Sequence, residues 1–270
     1  MSKSFENILI INTGGGLGDA LQLTSLFNYI NKNLEPKKIY YFSTDLKKFW
    51  YENNLKEYAP KNLITIKNFP EHFGDLFKDK EFAKNSLNDF EFTYFDMIID
   101  TQTKLKNTII YKKIPHKVYI TPCLNYLLSK PFFFIKKEKH VIYRIIKYLN
   151  KYLKIKDKID YKIDIPQIYI NEAKKILNKN LRYIGFSITS GHPSREKEFD
   201  LKEIIKVANH YSSDFTPTFF IEDKFENLKK ELKKNVKKSF FPEEHVEKNY
   251  RRPIFVTTLG SLTDFNISID

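Results

Sequence analysis

Ten residues near the start of the chain, Asn12-Thr13-Gly14-Gly15-Gly16-Leu17-Gly18-Asp19-Ala20-Leu21, gather four of its eight glycines within five positions and then place a carboxylate. Three kinds of site use glycines in this way: a dinucleotide turn, a phosphate loop, or a strand-to-helix corner where a ligand meets bare backbone. The dinucleotide fingerprint fails, because glycines at 14 and 16 call for a third at 19, where Asp19 stands. The phosphate loop fails as well, since no Gly-Lys-Ser/Thr follows. What remains is a turn at the C-terminal edge of a parallel sheet, where such sheets bind ligands. Glycine there lets a ligand approach the backbone, and the first amides of the helix attract an anionic group. Asp19 falls in the first helical turn, where the helix dipole stabilises a negative side chain. It either caps the helix or acts on a ligand, and periodicity alone leaves both roles open.

Other reactive side chains are sparse. No Asp-x-Asp pair and no His-Glu-x-x-His occur, and the six histidines are scattered, so no metal site is expected. His192, beside Pro193, is the one histidine set in a promising turn. His72, His116, His210 and His245 read as surface or packing residues. The single cysteine, Cys123, excludes an internal disulfide and fits a reducing cytoplasm, with the thiol acting as a small packing group.

The elements that must hold these residues follow from apolar patterning. Ile8-Leu9-Ile10-Ile11 is a continuous apolar run of the kind found in strands buried on both faces. Leu17, Ala20, Leu21, Thr24, Phe27, Ile30 and Leu34 then recur at helical spacing, and Pro36 closes the segment. Further strands are predicted over 38–43, 63–66 and 95–100, with a weaker one over 117–120. Residues 140–153 carry an amphipathic helical pattern. Pro166 marks residues 161–170 as an extended connector. A second cycle follows, with a helix over 172–177, a strand over 183–187, a turn around Ser190-Gly191-His192-Pro193, a helix over 201–210, a strand over 218–221 and a helix over 225–232. Alternating strands and helices predict an α/β protein with two parallel sheets, residues 1–170 in one domain and 171–270 in another. The second domain is expected to be incomplete, because the apolar run at 266–270 reads as a strand with nothing after it.

With 270 residues, 41% apolar and 16% aromatic, the chain can bury a core and is not a disordered one. No run approaches the ~18 apolar residues of a membrane-spanning helix, and no signal peptide is evident, so a soluble or membrane-surface protein is expected. The formal charge of +13 favours an anionic partner, although compositional bias alone also produces a lysine excess. The segment Pro131 to Lys139, followed by Arg144, Lys147, Lys151 and Lys154, is aromatic and then basic. A helix lying on anionic lipid has this character, and so does an ordinary core helix with a lysine-rich solvent face, the simpler reading.

The segment Ile8 to Ile30, ILIINTGGGLGDALQLTSLFNYI, resembles the opening of the family 9 glycosyltransferases, the lipopolysaccharide heptosyltransferase group. The likeness continues in order. Tyr94 to Gln102 is similar to the family's YDLVIDLQ strand, Lys139 to Arg144 to its HVVERY helix start, and Ile184 to Ser187 to a second-domain strand. In Lys197-Glu198-Phe199-Asp200 the family's Lys-Arg-Trp-Pro is matched at Lys197 and Phe199 and departed from at Glu198 and Asp200. Glu222-Asp223 replaces the usual Gly-Gly, while Glu226 matches the acidic residue a few positions on. The family's Asn-Asp-Thr-Gly…His donor loop would follow a segment like 262–269, and the chain ends at Asp270, so part of the donor site is expected to be missing.

The resemblance implies the GT-B arrangement, two Rossmann-like domains with the acceptor on the first and a nucleotide-sugar donor on the second. It implies inverting, metal-independent transfer of a heptose-like sugar to a lipopolysaccharide or other glycan acceptor, with ADP-heptose a possible donor and no further cofactor. It makes Asp19 the general base and assigns Gly15, Gly16, Leu17, Gly18 and Gln102 to the acceptor. Ser187, Thr189, Ser190, Gly191, Arg195, Lys197 and Glu226 fall to the donor, although Arg195 and Lys197 fit a solvated turn equally well. The implied location is cytoplasmic, with possible peripheral contact at an anionic membrane and no nucleic acid partner. Two other classes remain compatible with the sequence: an NAD(P)-type oxidoreductase on the same strand-loop-helix opening, and a non-catalytic basic module for RNA or membrane.

Overall fold

The structure, a computed structural model, describes residues 5–13, 17–43, 50–52, 55–66, 94–137, 140–158, 167–188, 200–221 and 225–245. The chain divides into two compact units, Met1–Asp164 and Ile165–Asp270.

The first unit is built on five parallel strands: β1 (Asn7–Ile11), β2 (Lys38–Phe42), β3 (Leu63–Thr65), β4 (Phe95–Asp100) and β5 (His116–Ile120). They lie in the order β3-β2-β1-β4-β5. The sequence leaves the central strand in one direction through β2 and β3 and in the other through β4 and β5, so the order reverses at β1. That reversal opens a crevice at the C-terminal ends of β1 and β4.

Side-chain alternation assigns the two faces. Ile8, Ile10, Ile39, Tyr41, Met97, Ile99, Val118 and Ile120 pack on one face against α1 (Leu17–Leu34) and α3 (Val141–Leu153). Leu9, Ile11, Tyr40, Phe42, Phe95, Ile98 and Tyr119 pack on the other against Tyr111 of α2 (Leu105–Tyr111). Cover on both faces is why β1 is apolar at consecutive positions rather than at alternate ones. In α1, Ala20, Leu23, Phe27, Ile30 and Leu34 are buried at helical spacing, and Phe27 meets the rings of Tyr51 and Tyr41 edge-on at 5.0 and 6.3 Å. Burial of each of the larger ones, Leu23, Phe27, Ile30 and Leu34, contributes about 1.5–3 kcal/mol. The helix ends where Glu35 takes φ 45° directly before Pro36. Tyr29 donates to Asn150 at 2.8 Å and ties α1 to α3.

In the second unit β6 (Tyr183–Phe186) and β7 (Thr216–Phe219) pair in parallel, and a parallel bridge from Thr218 to Phe240 continues the sheet. The helices are α4 (Gln167–Ile176), α5 (Leu201–Tyr211) and α6 (Glu226–Asn235). Ala208, Phe219, Ile221, Leu232, Val236 and Phe241 form its core. Beside it Lys229 is buried and paired with Glu243 at 3.2 Å and Glu244 at 3.1 Å. The paired charges offset a desolvation cost that an isolated ammonium could not bear.

Several sequence expectations are corrected. Residues 167–170, read as part of the connector, are the first turn of α4, which starts directly after Pro166; proline interrupts a helix from within and suits its first positions. The strand expected over 218–221 is Thr216–Phe219. Pro217 sits inside it because its carbonyl, the group a proline retains, accepts from Phe240 N at 2.8 Å. Helix α6 runs on to Asn235. Arg144, placed on a lysine-rich solvent face, is buried in α3: its guanidinium donates to Asn125 Oδ1 at 2.9 Å and lies 5.5 Å from the Tyr126 ring. The strand expected at 266–270 lies outside the described residues.

Candidate active site

The site begins where β1 and β4 end. Past Ile11 the ladder continues by one residue on each side, with Asn12 N donating to Phe42 O at 2.8 Å and Thr101 N to Ile11 O at 3.0 Å. The Thr101 hydroxyl lies 3.0 Å from Ile11 O and 3.1 Å from Asn12 Oδ1. The loop after β1 and the turn after β4 are therefore stitched together at the point where strand order reverses. Of the residues assigned to the acceptor, Gly15 and Gly16 lie outside the described residues. Leu17 opens α1, and Gly18 follows it, exposed; a methyl group built on Gly18 meets nothing within 4 Å. Asp19 is exposed in the first turn of α1. Gln102 is half-buried two residues beyond β4, the strand next to β1.

A buried carboxylate holds the turn that carries Gln102. Asp100, the last residue of β4, is fully buried. Its Oδ1 accepts from Gln102 N at 2.9 Å, and its Oδ2 accepts from Tyr119 OH at 2.9 Å and from the Thr108 hydroxyl at 3.1 Å. The Thr121 hydroxyl stands 3.5 Å from the same oxygen and donates to Gln102 O at 3.3 Å. Ser129 closes the network, accepting from Thr121 N at 3.0 Å and donating to Thr121 O at 3.1 Å. Burial drives the Asp100 carboxyl up to about 6, against hydrogen bonds that pull it down. Burial, followed by the negative charge of Asp100, pushes the Tyr119 phenol up. Sequence reasoning picked out Gln102 and overlooked this support; the available signal was Asp100, the carboxylate that closes the strand Phe95-Asp96-Met97-Ile98-Ile99-Asp100 two residues before Gln102.

On the second unit, Ser187 is exposed just past β6, and Glu226 is the exposed first residue of α6. Thr189, Ser190, Gly191, Arg195 and Lys197 lie outside the described residues, as does His192. The departure from the family pattern at Asp200 acquires a local reason: its carboxylate caps α5, accepting from Lys202 N at 2.9 Å. Among the described residues no three His, Cys, Asp or Glu side chains gather as a metal site would require.

Chemically, the crevice of the first unit offers an exposed carboxylate on a helix N-terminus, a glycine that leaves open space beside it, and a braced glutamine. Such a carboxylate can take a proton from a hydroxyl brought over the glycine.

The chain matches no family model, and no curated protein matches it by sequence. Its three-dimensional relatives are specific. A family 9 glycosyltransferase from Veillonella parvula superposes with a TM-score of 0.58 at 17% identity, over 89% of this chain and 70% of that one. E. coli heptosyltransferase WaaC with ADP superposes with a TM-score of 0.53 at 18% identity, over 87% and 73%. E. coli ADP-heptose LPS heptosyltransferase II does so at 0.53 and 13% identity, over 87% and 71%. The chain has an α/β fold of the glycosyltransferase type. More narrowly, that fold is the one shared by family 9 glycosyltransferases and heptosyltransferases, as the motif resemblance implied.

Proposed function

We propose that the protein is an inverting, metal-independent glycosyltransferase with Asp19 as its general base. The observation that carries this reading is the placement of Asp19 and Gln102 after neighbouring strands at the reversal point of the β3-β2-β1-β4-β5 sheet, in a fold shared with heptosyltransferases. In the reaction, an acceptor hydroxyl approaches over Gly18 and gives its proton to the Asp19 carboxylate. Its oxygen bonds to the anomeric carbon from the face opposite the diphosphate, the old C–O bond breaks, and a nucleoside diphosphate leaves with the bonding pair. Attack from the opposite face inverts the anomeric centre. Gly15, Gly16, Leu17, Gly18 and Gln102 bind the acceptor on the first unit.

The donor is a nucleotide sugar held by the second unit. WaaC structures with ADP and with ADP-2-deoxy-2-fluoro heptose support a donor of ADP-heptose type. Ser187, Thr189, Ser190, Gly191, Arg195, Lys197 and Glu226 hold it, with hydroxyls, amides and cations stabilising the negative charge that develops on the departing diphosphate. The acceptor is a lipopolysaccharide or other lipid-linked glycan, and the site of action is the cytoplasmic face of a membrane. The test is incubation with ADP-heptose and a heptose-accepting glycolipid, with the product read by mass spectrometry and NMR. The proposal predicts a glycoside of inverted anomeric configuration; retention of configuration, or NAD binding in place of nucleotide-sugar binding, overturns it.

A further inference from the structure

From Thr101 to Lys156 the chain carries fourteen basic side chains and one acidic one, Glu138, so this stretch holds the whole formal +13 while the rest of the molecule balances. In the fold, the stretch wraps the β5 edge of the first unit's sheet, with α2 on one face and α3 on the other. It comprises α2, the edge strand β5, a 3-10 turn at Cys123–Tyr126, the segment leading to Lys137, and α3. The same stretch exposes large apolar side chains: Leu124 at 55%, Leu127 at 62%, Phe132 at 53% and Phe134 at 67%, with Leu105 and Ile109 on α2, which packs against the 3-10 turn.

These side chains stand on braced backbone. Tyr119 and Lys130 exchange hydrogen bonds of 3.0 and 2.8 Å, which pins the segment to β5. Tyr126 is buried and stacks on Tyr148 of α3 at 5.1 Å, while Arg144 clamps Asn125. Lys151 Nζ reaches Phe134 O at 3.4 Å. Leu124, Asn125 and Tyr126 take φ of 46°, 53° and 72°, a left-handed run that leaves Leu124 outside and Tyr126 inside. Single exposed apolar residues are ordinary; several of them along a stretch with fourteen basic side chains and one acidic one have the composition of an interfacial binding surface.

We propose that this β5 edge docks on an anionic lipid bilayer, with Phe132, Phe134, Leu124 and Leu127 entering the headgroup–acyl boundary while Lys130, Lys136 and Lys137 meet the lipid charge. RNA also attracts lysines, but bases stack on aromatic rings and leave exposed leucines in water, so the aliphatic members favour lipid. The docking does not depend on sugar transfer. Because α2 begins three residues after Gln102, it also sets the candidate acceptor side beside the membrane.

The test is co-sedimentation of the full chain with phosphatidylcholine vesicles, with and without phosphatidylglycerol, at increasing salt. Binding is expected only with phosphatidylglycerol and weakens as salt rises. Lys136→Glu with Lys137→Glu is expected to lower affinity at least about tenfold, and Phe132→Ser with Phe134→Ser to lower it severalfold at low salt, each variant melting like wild type. Lys230→Glu with Lys234→Glu on α6, the same change in net charge, is expected to bind as wild type does. The proposal fails if phosphatidylglycerol confers no binding, if the α6 variant loses as much as the β5-edge variant, or if single-stranded RNA binds more tightly in a way the Phe132 and Phe134 substitutions leave untouched.

Discussion

Asp100 closes an apolar strand with a carboxylate that no water reaches. A single acidic residue has no spacing to betray it, and its side-chain partners Thr108, Tyr119 and Thr121 come from eight to twenty-one positions away. Sequence therefore offered Gln102 and Asp19 as site residues, and although Asp100 stands in the same strand motif as Gln102, nothing in it told of the buried hydroxyls that gather on its carboxylate. The raised carboxyl has a consequence for stability. Folded Asp100 titrates near 6 against 3.8 for the free side chain, so between those values the folded state binds more proton than the unfolded state. The contribution is fully present below pH 3.8 and is lost as pH rises through 6. Asp100→Asn removes this titration. Thermal unfolding across pH should show wild type losing about 2 kcal/mol relative to that variant between pH 4 and 7; a difference independent of pH would refute the assignment.

Strand β1 and helix α1 were readable because one is a run of four apolar residues and the other repeats them at helical spacing. Helix α2 was not, because it is seven residues long and its buried positions, Thr108, Ile110 and Tyr111, include a polar one and lack a full helical stripe. Prolines misled in both directions, Pro166 standing just before a helix and Pro217 within a strand. The start of α1 carries a prediction that separates fold from site. Gly18 lies in the first turn with open space beside it, so Gly18→Ala should keep the helix and stabilise it by up to about 0.5–1 kcal/mol, as glycine gives way to a better helix former. If the glycine admits the acceptor, the same methyl group raises the acceptor KM. Denaturant melts and acceptor saturation curves read the two effects, and an unchanged KM would remove Gly18 from the acceptor site.

Across the whole molecule, the parallel pairing of the strands in each unit is what alternating strands and helices predicted, and superposition on family 9 glycosyltransferases bears out the resemblance at the level of fold. The net charge was visible as a number, while its meaning depended on topology: only the sheet order shows that the lysine-rich stretch forms one edge. Of the donor residues, Ser187 and Glu226 on α6 are among the described residues. The central claim rests on Asp19, and it is tested most directly by the rate of nucleoside diphosphate release from a nucleotide sugar, with acceptor present, in wild type and in Asp19→Asn. Loss of a general base predicts a turnover lower by about 10²–10⁴-fold with ADP affinity unchanged; turnover at the wild-type rate in Asp19→Asn would contradict the account.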